Sequence, residues 1–504
     1  MCLTAFAGCA GANQDDAGAL FPEYGDNVGA TYPENAPEEG NEDVDGSPVA
    51  DSATLYENPF VDTAKNNVST FSADVDTASY TYFRKLVSQG YTLTELKNQL
   101  SRAPLRTEEM INYFDYSYTM PSEGEVFGTE AAVARTPWNA DSYLLMLGIA
   151  TDELTEKGAN NLVFLIDVSG SMASSDKLPL LKKAFSYLVS SLDERDTVSI
   201  VTYSGKESVV LSGCRGDRDE EIMRAVNSLE AEGSTNGEAG LTRAYSLAKD
   251  YFIKDGNNRI IMASDGDLNV GISSEGELKS YIETKRDEGI FLSVLGFGTG
   301  NYKDAKMSAL AQNGNGVYYY IDGEREAEKV MGEDLLSTLY TVAKDVKFQL
   351  EFDSRYVAKY RLIGYETRML SAEDFDDDTK DAGDVGAGHS LTVCYELILT
   401  EGAKESEDMT YATLKIRYKS PISDASVLRK MTVDSKAFTD TPDADFRFIS
   451  SVIETAMILN QSRYNTDGVE LKQIGESLSA LDFGADEDKI EFVRMINSLI
   501  SSVN

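Results

Sequence analysis

Apolar runs alternating with helical stripes organise the middle of the chain. Asn161-Leu-Val-Phe-Leu-Ile166 is a short, almost unbroken apolar run and predicts a strand buried on both faces. Leu178, Leu181, Phe185, Leu188 and Leu192 follow at three- and four-residue spacing, the stripe of an amphipathic helix. Val198 to Tyr203 predicts the next strand, and helices are expected over 220–229 and 238–252. Arg259 to Ser264, Ile290 to Phe297 and Val317 to Ile321 supply later strands, with helical segments between and after. Strands that alternate with helices predict a doubly wound, mostly parallel α/β sheet over residues 158–345. In such sheets the ligand crevice lies at the carboxyl ends of the strands.

The pattern differs on either side. Residues 58–157 predict helices over 79–86 and 93–100 and a strand from Ser142 to Ile149. Residues 346–504 begin with period-two alternation at Val346–Phe352 and repeat it at Thr413–Tyr418, as half-exposed strands do. Ser390 to Leu399 is a longer strand, and helices are expected over 444–461 and 486–502. Strands both before and after the α/β unit imply β-rich flanks that pair with each other, with the α/β unit inserted between them.

The chain start is of another kind. Residues 1–12 are small and mostly apolar, and small residues lead into Cys9. This is similar to the tail of a bacterial lipoprotein signal with Cys9 as the lipidated residue, although its basic and apolar beginning is missing. Asn13 to Asp62 contains no Lys or Arg but thirteen Asp or Glu and five of the eleven prolines. Such a stretch buries too little apolar surface to offset its ordering entropy, so 13–57 is expected to be an acidic, disordered tether.

Composition then narrows the function. The 504 residues carry 46 Lys and Arg against 85 Asp and Glu, a net charge of −39. A surface this acidic repels phosphate backbones and anionic headgroups, which excludes nucleic acid and leaves the membrane accessible only through a lipid anchor. One histidine, His389, leaves no room for a His-rich zinc site. Cys2, Cys9, Cys214 and Cys394 form no CxxC pair, and a bridge between Cys214 and Cys394 stays open.

The informative loops leave the predicted strand ends. One strand ends in Asp167-Val-Ser169-Gly-Ser171, and a later one ends in Ser264-Asp265. Between them a loop reads Gly233-Ser-Thr235. Two aspartates, two serines and a threonine are hard oxygen donors that suit Mg²⁺, or Mn²⁺ or Ca²⁺. A site with so few charged ligands leaves the cation able to take one more carboxylate. The competing reading is a strand-to-helix turn capped by Ser and Asp.

Asp-x-Ser-x-Ser with the downstream threonine and aspartate resembles the von Willebrand factor type A domain and its metal-ion-dependent adhesion site. The resemblance assigns Asp167, Ser169, Ser171, Thr235 and Asp265 to the metal; Ser234 departs from it, since relatives often carry glycine there. Thr70-Phe-Ser-Ala-Asp-Val-Asp-Thr-Ala-Ser-Tyr80, Arg106 to Asp115, Tyr360 to Glu366 and Lys380 to His389 are similar to the flanks of the bacterial YfbK-like subgroup, extending the match over about residues 56–500. That match carries architecture and a metal site but no established activity. The metal loops and the chain start together lead to the expectation of a non-enzymatic, Mg²⁺-dependent protein-binding module, lipid-anchored on the extracytoplasmic face, that captures a partner carboxylate. The alternatives are a metal-dependent hydrolase and a structural envelope protein whose metal stiffens loops.

Four other motifs have duller readings. Asp74-Val-Asp76-Thr resembles a phosphotransferase nucleophile loop but follows no strongly apolar strand, so a polar turn is expected. Arg215-Gly-Asp217 spells an adhesion tripeptide, yet Asp217 or Asp219 is expected to cap the next helix. Asp376-Asp-Asp378 reads as a solvated loop and His389 as structural.

Overall fold

The computed structural model describes residues 57–504 apart from 154–157, 234–237, 255, 267–274, 299–303, 336–338, 381, 406–407, 422, 424 and 504. The expected α/β sheet is present with six strands. Asn160–Asp167 lies between Thr197–Ser204 and Asn257–Ser264, both parallel to it. Phe291–Phe297 and Tyr318–Ile321 extend the parallel part beyond Asn257–Ser264. Lys206–Arg215 closes the other edge and runs antiparallel to Thr197–Ser204.

Alternation decides which helix layer each side chain meets. Leu162, Phe164 and Ile166 face one layer, together with Leu181, Phe185 and Leu188. Val163 and Leu165 face the other, together with Leu241, Ala244 and Ala248. The central strand is therefore apolar without a break from Leu162 to Ile166, as suits a strand covered on both faces.

The flanks are interwoven. Val68–Ser72 pairs antiparallel with Thr341–Phe352, which also pairs with Thr410–Lys419. Tyr143–Ala150 pairs with Gly128–Arg135 on one side and with Ser390–Leu399 on the other. Each sheet thus takes strands from before and after the α/β unit. The two sheets share a core in which Val133, Leu145, Leu147 and Ile149 meet Phe71, Phe348, Leu350 and Leu414. Phe71 lies opposite Phe348 in the register, and their rings stack at 5.3 Å. The other face of the Tyr143–Ala150 sheet presents Leu144, Met146 and Cys394 to Phe114, in the turn after helix Thr107–Ile111, and to helices that carry Phe448 and Phe492. That helical core continues into one side of the α/β unit.

Helix Ala444–Leu459 carries Glu454, only 6% exposed, and burial raises its carboxyl pKa to about 8. An unfolded glutamate loses its proton near ~4.3, so between the two values the folded state holds a proton that the unfolded state has lost. Stability from this group is full below the lower value and falls as pH rises, by about 1.4 kcal/mol per pH unit. Urea unfolding of Glu454→Gln is expected to show a flatter decline between pH 5 and 8 than the wild type; parallel curves would contradict this.

Candidate metal site at the strand ends

The loop after the central strand is fixed by its own side chains. Asp167 is fully buried, and its Oδ1 accepts the Ser169 amide at 2.8 Å, folding the chain back over the strand end. Ser169 Oγ and Ser171 Oγ then lie 3.0 Å apart, Ser169 buried and Ser171 exposed. The second loop is laced to the first. The Gly170 amide donates to the Gly233 carbonyl at 3.1 Å, and the Glu232 amide to the Val168 carbonyl at 2.7 Å. Gly233 has a φ of +84°, and a Cβ there would come within 2.6 Å of Ser204 Oγ, so only glycine fits. Asp265 follows the neighbouring strand Asn257–Ser264 and is 4% exposed.

The structure thus brings Asp167, Ser169, Ser171 and Asp265 to one edge of the sheet, on adjacent strand ends. Thr235 and Cys9 lie outside the described residues. Asp167 Oδ2 and the Tyr203 hydroxyl are buried close to one another, and neither makes a hydrogen bond of good geometry. Burial raises the Asp167 pKa; the Ser169 hydrogen bonds oppose that shift and the charge of Asp265 adds to it. Tyr203, from the adjacent strand, is pushed well above its usual value by burial and then by Asp167.

Sequence reasoning missed Lys177. It occupies the N-cap of helix Leu178–Val189, and its Nζ lies 2.8 Å from Asp265 Oδ2 and 2.9 Å from the Ser171 carbonyl. The available signal was a cation placed where the helix dipole disfavours one. Beside the loops runs an open groove of about 670 Å³, lined by Val168, Val210, Leu229, Lys206 and Glu232 among others.

The remaining motifs have structural roles. Asp74 is not in an exposed turn: it is buried and held by Arg368 at 2.7 and 2.8 Å. Its neighbours Asp76 and Glu109 complete a buried carboxylate trio. Asp76 accepts the Tyr318 amide at 2.9 Å, and Glu109 is bonded by Arg106 and by the Ser79 amide. With every member already bonded, the trio joins the first flank to the α/β unit as an ion-paired node. Asp217 does not cap its helix. Arg215 binds it through two 2.6 Å hydrogen bonds, and helix Asp219–Asn227 has Arg218 at its N-cap with no side-chain cap. A guanidinium in fork geometry outcompetes the helix amides for that carboxylate. Arg417 and Ser426 bond Asp378, and His389 is half-buried with its amide on Thr151 Oγ1 at 3.0 Å. Cys214 and Cys394 are both free and buried.

A parallel sheet flanked by helices, with Asp-x-Ser-x-Ser and a second aspartate on neighbouring strand ends, defines a von Willebrand factor type A module, a class that serves protein interaction and adhesion. Residues 161–333 match the von Willebrand factor type A domain family, residues 50–146 a von Willebrand factor family, and residues 337–501 the C-terminal family of the uncharacterized protein YfbK. The chain belongs to the YfbK family: it is 39% identical over 468 residues to the uncharacterized protein YfbK of Escherichia coli, covering 87% of this chain and 79% of that one. It is also similar to human inter-alpha-trypsin inhibitor heavy chain H3, at 26% identity over half of this chain and 30% of that protein. Among solved structures, a von Willebrand factor type A protein from Catenulispora acidiphila aligns at 14% identity and a TM-score of 0.42, over 77% of this chain and 89% of that one.

Proposed function

We propose that the protein is a non-enzymatic, Mg²⁺-dependent binding module that captures a partner protein through an Asp or Glu carboxylate. The observation that carries this reading is Asp167 Oδ2, a carboxylate oxygen buried at the strand end without a hydrogen bond of good geometry, beside the Ser169 and Ser171 hydroxyls. A buried carboxylate oxygen without a full hydrogen-bond complement is costly, and a cation removes the cost. Asp167, Ser169, Ser171, Thr235 and Asp265 would hold the ion, hard oxygens suited to Mg²⁺. When bound, the cation supplies an open coordination position for one further oxygen ligand. The exposed Ser171 rim and the adjoining groove give a partner segment access to it. The acidic stretch 13–57 and Cys9 fit a lipid-anchored tether on the extracytoplasmic face, which would hold the folded part away from the membrane.

The test is affinity capture from an envelope extract with wild-type protein and Asp167→Ala, each in Mg²⁺ and in chelator. A partner held by the wild type in Mg²⁺ is expected to be lost in the other three conditions. Retention of the same partner in all four refutes metal-bridged capture.

A further inference from the structure

We propose that Lys177 is a built-in counter-cation of the metal site, which competes with the divalent ion for Asp265 and makes metal loading depend on the partner. The inference rests on the metal reading above and goes beyond it, because it concerns a residue outside the ligand set.

Three observations place an ammonium group there by construction. First, Nζ sits between two oxygens of the site, 2.8 Å from Asp265 Oδ2 and 2.9 Å from the Ser171 carbonyl. Both side chains are withdrawn from water, at 15% and 1% exposure, so bulk solvent screens the contact poorly. Second, the lysine stands at the N-cap of a twelve-residue helix and makes no side-chain cap. Ser, Thr, Asp or Asn would stabilise that position, and a cation there opposes the helix dipole. The helix start therefore gives up stability that the contact to Asp265 offsets. Third, the side chain runs close against the backbone of a glycine. Gly298, just past strand Phe291–Phe297, has a φ of +73°, and a Cβ there would lie 2.3 Å from Lys177 Cε. Backbone from a third strand end thus packs against the lysine stem.

The physical consequence follows from charge. An ammonium and a divalent cation sharing one cluster of oxygens repel each other, and Asp265 cannot give the same oxygen fully to both. Metal binding must therefore weaken the Lys177–Asp265 contact. A partner carboxylate adds negative charge at the same place and relieves the repulsion, so metal and partner reinforce one another's binding. Without partner, the lysine keeps Asp265 compensated and the site resists loading.

The experiment is Mn²⁺ binding to the full chain without partner, read by calorimetry and by the electron paramagnetic resonance of free Mn²⁺, with Mg²⁺ competition. The variants are Lys177→Met, of similar length but neutral, Lys177→Arg, which keeps the charge, and Asp167→Ala. Lys177→Met is expected to bind Mn²⁺ about tenfold or more tightly than the wild type, since a competing positive charge is removed from a poorly screened site and Asp265 is freed for the metal. Lys177→Arg is expected to stay within about threefold, because it restores the charge. Thermal unfolding in chelator confirms that each variant is folded, and added Mn²⁺ should raise the melting temperature most for Lys177→Met. If Lys177→Met binds as the wild type does or more weakly, while Asp167→Ala abolishes binding, the competition is overturned and the metal site stands. If Mn²⁺ binds Asp167→Ala as tightly as the wild type, the metal reading fails and this inference with it.

Discussion

Replacing Arg84 by methionine is expected to lower the unfolding free energy by about 3–5 kcal/mol, the usual cost of removing one partner from a buried ion-pair network. Arg84 lies on helix Ala78–Ser88 of the first flank, and its side chain is 7% exposed. Its guanidinium binds Asp322 through Nε and Nη2 at 2.7 Å each and Glu326 at 2.7 Å, both in the α/β unit. It also reaches Glu491 at 3.3 Å on the C-terminal helix Glu487–Val503. One side chain thus ties three parts of the chain together, and without it Asp322 and Glu326 remain as buried like charges. Burial already raises the Glu326 pKa in spite of Arg84, and removing the arginine raises it further. A carboxyl with a raised folded-state pKa loses stabilising influence as pH rises from its unfolded value. The deficit of Arg84→Met should therefore be smaller at pH 5 than at pH 8. Urea unfolding at both values checks this, and a loss below about 1 kcal/mol at pH 8 would show that the network contributes little.

The second large effect is expected at Glu396. Its carboxylate is completely buried, and Arg361 binds it through Nη2 at 2.7 Å and Nε at 3.1 Å. Ser142 Oγ and Asn139 Nδ2 donate to its other oxygen at 2.7 and 3.2 Å. Arg361 is itself 2% exposed and lies 4.0 Å from the centre of the Tyr464 ring. Glu396→Ala strands that guanidinium away from water, at a cost of about 3–5 kcal/mol. The double change Arg361→Met with Glu396→Leu removes both charges and should recover most of the loss. Thermal and urea unfolding of the three proteins measures the difference; equal losses in the single and double variants would contradict the argument.

How much of this was legible beforehand depends on whether the signal was local. The strand Asn160–Asp167 announced itself because Leu162 to Ile166 is an unbroken apolar run, and its end located Asp167. The strand Lys206–Arg215 went unread because it is an edge strand with two register shifts, which break its alternation and leave it half exposed. Pairing of the flanks was foreseeable from strands on both sides of the α/β unit. Which strand meets which was not, since Val68–Ser72 finds its partner at Thr341–Phe352 through contacts with no local trace. The same limit hid Lys177 and Arg84, whose partners lie 88 and 238 residues away. At the candidate site, the loop chemistry could be read in one dimension, whereas the charge that balances it left only a lysine at an unfavourable helix start, with no sign of its partner.

The weaving of the flanks also sets a timetable for synthesis. Strand Tyr143–Ala150 is apolar along its whole length, yet one of its two neighbours, Ser390–Leu399, comes about 240 residues later. At roughly 5–20 residues per second, that edge waits from about ten seconds to most of a minute for its partner. During that interval the α/β unit, whose strands lie close together in sequence, can close while the sandwich around it cannot. The nascent chain therefore passes through a stage with an open apolar sheet edge, which is where a chaperone has the most to protect.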